Sequence, residues 1–301
     1  EPVSSHQAAY HYARAAHLAV RAPNHVPEAA RPGRARYGAA VAERTRTAGW
    51  LPKQHGAWAM LVVPFAVGAI LCWRDDRLPG YVAPMFATWM LSYFAFHAAS
   101  GLLKSARRRR RRWLPALATY GGATLAAGLL TVAEAGPAVL WWLVVYLLPC
   151  GFALWLASRR QERHLAGGLL TVLLASTMVL VVRFPDPWRL GVDPAATDAI
   201  VAAALVFGYF GGTVLHVKAM IRERGELAWR NASIAWHAAW TVAAAVLVVI
   251  GRLDRVWAVF FLLTTVRAWL LPAIGQRRRV RPAALGVVEI TEGHRRLVGS
   301  V

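Results

Sequence analysis

Acidic residues, lysine and cysteine are all scarce in this chain of 301 residues. Charged residues make up only 17% of it, against roughly 25% in a soluble domain, while 57% are hydrophobic. With a mean hydropathy of +0.39, that balance excludes a soluble enzyme and a disordered chain. The two cysteines, Cys72 and Cys150, are too few for a secreted disulfide scaffold. Both fall in apolar stretches without metal-ligand spacing and read as packed thiols.

What is present is a succession of long apolar blocks, each near the roughly 20 residues that span a bilayer core as a helix. They run Gly56–Trp73, Leu78–Leu103, Trp113–Ala133, Ala135–Ser158, Leu165–Val182, Ala199–Val217, Asn231–Gly251 and Val256–Gln276. The expectation is an all-α, polytopic membrane bundle of about eight transmembrane helices over residues 51–276. Residues 1–50 are polar and carry no apolar run, so they read as a disordered or surface-associated tail, not as a cleavable signal peptide. Residues 277–301 form a basic tail.

Lys and Arg number 35 against 15 Asp and Glu, a formal charge of +20. On a soluble protein that excess would suggest nucleic acid; here the positive-inside rule accounts for it and no nucleic-acid partner is expected. The connections after spans 2, 4, 6 and 8 hold 18 basic residues, counted as far as Arg281, and the alternate connections hold 6. Both termini are therefore expected on the cytoplasmic side of the membrane. The run Arg107–Arg112 anchors that topology and can contact anionic lipids. Trp73, Trp113, Trp188, Trp229 and Trp257 sit near span ends, as interface belts require.

Ionisable groups inside the spans are the informative exceptions, because a bilayer tolerates them only in a cavity or beside a partner. They are His97, His216, His237 and Arg267, with Lys53, Gln54 and His55 at the entrance to span 1. All lie in the half of the bundle expected to face the cytoplasm; His97, for example, stands about 10 Å above Lys104. Tyr93, His97, Ser100 and Lys104 share one helical face of span 2, and Tyr209, Thr213, His216 and Met220 share one of span 6. Each of the three lysines, Lys53, Lys104 and Lys218, stands beside one of these histidines. With Arg222, they predict an electropositive pocket for a phosphate, diphosphate or carboxylate head group. His97 and His216 are the candidates for general acid–base catalysis there. No metal site is expected, since Glu223 with Glu226 and Glu289 with Glu292 read as solvated pairs.

The string W-L-P-K-Q-H-G-A-W-A-M at Trp50–Met60 resembles the signature of bacterial YwiC-like membrane proteins. G-T-V-L-H-V-K-A-M-I-R-E-R at Gly212–Arg224 and R-P-A-A-L-G-V-V-E-I at Arg281–Ile290 carry the resemblance on, over residues 50–291. It implies a polytopic inner-membrane protein and brings no catalytic residues. In architecture the chain also resembles UbiA-type intramembrane prenyltransferases, whose pocket faces the cytoplasm between the loops after helices 2 and 6. That family holds diphosphate through Mg²⁺ on aspartates. Lys104, Lys218 and Arg222 occupy those places here, so basic side chains would neutralise the ligand directly.

Three functions follow as expectations. The first is a protein that binds, and in one version processes, an amphiphile with an anionic head, such as an isoprenoid or lipid phosphate. The second is a transporter of a small anion, for which Pro64 and Pro149 would break their helices. The third is an assembly or regulatory factor without chemistry. No cofactor is expected; haem b on two of His97, His216 and His237 is the alternative. Membrane lipids are the expected partners.

Overall fold

The computed structural model describes residues 49–52, 55–75, 78–161 and 164–277. Eight helices of 18 or more residues follow one another in them: α1 His55–Arg74, α2 Val82–Lys104, α3 Leu114–Ala135, α4 Trp141–Ser158, α5 Leu165–Arg183, α6 Ala196–Val217, α7 Leu227–Val249 and α8 Arg255–Arg277. Each covers one expected span to within a few residues. Seven are long and apolar enough to cross a membrane. The eighth, α2, has the length, but Ser92, Tyr93, His97, Ser100 and Lys104 dilute its apolar character. The chain is a multi-pass membrane protein of the all-α class.

The helices end where the sequence dictates. At Gly136 the backbone turns through φ +87°, open to glycine but not to side-chain-bearing residues, and Pro137 then starts a short 3₁₀ turn into α4. Gly225, at φ +98°, makes the corresponding turn before α7. Pro64, Pro149 and Pro272 lie inside continuous helices, so the breaks expected at Pro64 and Pro149 do not occur. The irregularity falls instead at Lys218–Arg222, where α6 widens into a π-helical turn.

Helix α5 packs on α1, α4 and α6, and α6 in turn on α1 and α7. Two hairpins flank this centre, α2 with α3 and α7 with α8. Half of the α6 span, 50%, is buried inside the protein, against 11% for α3 and for α4, which present their sides to lipid. Lipid tails are as apolar as leucine, so close packing and polar contacts must hold such helices together. Glycine supplies the packing: a Cβ on Gly68 would lie 2.8 Å from Val182 of α5, and one on Gly101 2.2 Å from the Trp113 ring.

Aromatic side chains supply the polar contacts by donating to helix carbonyls. Trp89 Nε1 donates to Leu61 O at 3.0 Å, tying α2 to α1, and Tyr146 OH to Leu174 O at 3.0 Å, tying α4 to α5. At the end away from the basic loops, Tyr81 OH donates to Val182 O and Trp142 Nε1 to Phe184 O, at 3.0 and 2.9 Å. Arg183 pairs with Asp75 beside them. An apolar cluster that includes Phe65, Met85, Trp142, Met178 and Val182 closes the bundle below this end. Of the tryptophans expected in interface belts, Trp73, Trp188 and Trp257 are exposed. Trp113 and Trp229 instead pack on the protein itself.

Candidate functional site

At the basic end, α6, α7 and α8 enclose a polar group in an otherwise apolar interior. The face of α6 that meets α7 has no side chains at Gly208, Gly211 and Gly212, and three large rings of α7 fill the space. A Cβ would lie 2.3 Å from Trp240 at Gly208, 2.6 Å from Trp236 at Gly211 and 2.6 Å from His237 Nε2 at Gly212. Trp236 also donates to the Gly208 carbonyl at 2.8 Å, which locks the two helices in register.

That close approach sets His237 against His216. Their ring centroids are 6.4 Å apart and their planes nearly perpendicular, at 84°. His237 Nδ1 lies 2.7 Å from the Ser233 carbonyl one turn back on α7. A carbonyl can only accept, so Nδ1 carries the hydrogen and Nε2 points at α6. Arg267 of α8 joins them and is 7% exposed, the one charged side chain buried among the described residues; no Asp or Glu is buried with it. Ser233 and Thr264, one turn from His237 and Arg267 along their helices, are buried too.

Polar atoms buried without a hydrogen-bond partner are rare in folded proteins, and each has a cause. His216 contributes both ring nitrogens, His237 its Nε2, Ser233 its Oγ and Arg230 its Nε. On α7, Arg230, Ser233 and His237 follow one another at i, i+3 and i+7, forming a column up one face. At its foot a small cleft is lined by Met220, Arg224, Glu226, Arg230 and Pro272. Beside that cleft, Lys218 Nζ sits 3.7 Å from the Trp229 ring centroid and 4.0 Å from Glu223.

Among the expected site residues, the structure thus brings His216, His237 and Arg267 together, with Lys218 at the end of α6 and Arg222 exposed below it. Tyr93, His97 and Lys104 belong to α2, whose main packing is against α3 and α4. There the His97 ring stands 6.0 Å from the Trp113 ring, and Trp113 Nε1 donates to Ser105 Oγ at 2.8 Å. Lys53 and Gln54 lie outside the described residues, as do the side chain of His55, the tail with Glu289 and Glu292, and residues 1–48. Ser233, Arg230 and Trp229 were not expected, although the spacing used on spans 2 and 6 marks Arg230, Ser233, His237 and Thr241 as one stripe. No three His, Cys, Asp or Glu side chains among the described residues group so as to hold a metal.

The profile of the family described as YwiC-like protein matches residues 51–183. The chain is also 30% identical over 192 residues to the protein named "Uncharacterized protein YwiC" of Bacillus subtilis (strain 168), covering 62% of this chain and 73% of that one. The chain belongs to the YwiC-like family. No solved structure matches it. The profile ends at Arg183, within the 50–291 of the motif resemblance, so the buried group on α6–α8 lies beyond it.

Proposed function

We propose that this YwiC-like protein lies in the bacterial plasma membrane with its basic end and both termini in the cytoplasm. There it binds an amphiphile with an anionic head, such as an isoprenoid or lipid phosphate. The head enters between α6, α7 and α8, where His216, His237 and Arg267 receive it, and Lys218 stands at the entrance. The observation that carries this reading is the pair of buried histidines, three of whose four ring nitrogens lack partners, beside a buried arginine. Leaving buried donors and acceptors unmet costs about 1–3 kcal/mol each, so several in one place favour an occupant that meets them. The cationic surroundings favour an anion. The basic loops, all at this end, give the orientation.

Native mass spectrometry of the detergent-purified protein, with a UV–visible spectrum of the same sample, tests the reading. The expected result is a retained lipid or isoprenoid bearing an anionic head. A bare polypeptide mass contradicts it and moves attention to anion flux. A haem mass with a Soret band replaces it with electron transfer.

A further inference from the structure

The hydrogen-bonding demand of the α6–α8 column is more specific than positive charge. Nδ1 of His237 is committed to the Ser233 carbonyl, so in the neutral ring Nε2 presents a lone pair and must find a donor. A neutral His216, with both nitrogens unpartnered, presents one donor and one acceptor. Ser233 Oγ adds a hydroxyl that is 1% exposed, and Arg267 adds a cation. Together these groups call for a partner that accepts several hydrogen bonds and also gives at least one. Sulfate and phosphodiesters only accept. A phosphate that retains a proton does both.

We propose that this column binds a monoprotonated phosphate group, either free inorganic phosphate or the monoester head of an amphiphile. Its P–O–H donates to a histidine nitrogen, Nε2 of His237 foremost. Its other oxygens accept from Ser233, His216 and Arg267. Arg230 lies two turns below His237 on the same face, about 10 Å along the axis, and lines the cleft through which the group arrives. This assignment rests on the anionic-head reading and narrows it, because diphosphate diesters and phosphodiester lipids are excluded from the column.

Thermal unfolding of the full-length protein in detergent, followed by tryptophan fluorescence, tests the assignment, since a ligand of the folded state raises the melting temperature. The ligands are inorganic phosphate, sulfate, and mixed micelles of phosphatidic acid or of phosphatidylglycerol. Stabilisation by phosphate and by phosphatidic acid, but not by sulfate or phosphatidylglycerol, is the expected result. Stabilisation by phosphatidic acid alone also supports the site and names the amphiphile as its source. Ser233→Ala keeps the carbonyl that holds His237 and should raise the half-maximal ligand concentration about tenfold. Arg230→Gln, at the half-buried mouth, should weaken binding in the same direction. Equal stabilisation by sulfate or phosphatidylglycerol overturns the protonated-phosphate site while leaving a general anionic amphiphile in place. No response to any phosphate also overturns it, as do unchanged midpoints in both variants. The mass found in the native spectrum judges the broader reading separately.

Discussion

The His216 and His237 rings stand 6.4 Å apart at 84° because Gly212 brings α6 and α7 close enough for them to meet. One atom more at that glycine would press against His237 Nε2. A packing choice and a candidate binding site are thus the same feature: the stripe that admits Trp240 and Trp236 also aims the histidine.

Gly212→Ala puts a methyl carbon 2.6 Å from His237 Nε2, too close without a shift of ring or helix. Overpacking of this kind costs about 1–3 kcal/mol, so thermal unfolding in detergent should show a lower midpoint. An unchanged midpoint would mean that α6 and α7 are less tightly joined than the 2.8 Å Trp236–Gly208 bond requires.

Trp236→Phe removes that bond and keeps most of the ring. The expected loss is about 1 kcal/mol, the usual net contribution of one hydrogen bond. Trp257→Phe, at a position 44% exposed, should leave the midpoint where it is. Equal effects of the two would show that Trp236 acts only as bulk.

Much of this architecture is legible in the sequence. Blocks of apolar residues fix the eight helices, since only the helix satisfies every backbone group inside a bilayer. The histidines and Arg267 stand out because a lipid-facing helix does not carry them. Which of them meet is a different matter, decided by helix neighbourhood. Equal depth suggests one pocket for His97, His216 and His237, yet α2 packs chiefly on α3 and α4 while α6, α7 and α8 pack together. The partner of Trp113 is equally illegible, because Gly101 and Ser105 look unremarkable until α3 folds back over them. Ser233 carries no signal of its own; its part depends on its carbonyl and its burial.

Orientation can be tested by thiol labelling in a background with Cys72 and Cys150 replaced by serine. A cysteine at Val192, which is 82% exposed in the connection after α5, should react with a membrane-impermeant maleimide in intact cells. One at Arg109 should react only after permeabilisation. The reverse pattern would place the basic end outside the cell.

Lys218→Ala should reduce retention of an anionic amphiphile and lower the melting midpoint modestly, because Lys218 stacks on Trp229 at the edge of the site. Its stacking contributes on the order of 0.5–2 kcal/mol, which Lys218→Arg preserves. Retention in the arginine variant should therefore stay closer to that of the wild type. Full retention in the alanine variant would remove Lys218 from the site.

The most direct test of the α6–α8 site is native mass spectrometry of the wild type beside His237→Asn and His97→Ala, each first shown to be folded by its melting curve. The expected result is a phosphorus-bearing amphiphile retained by the wild type and lost from His237→Asn. Retention in His237→Asn equal to the wild type would contradict the account. So would a loss caused by His97→Ala alone, which would move the head group to α2.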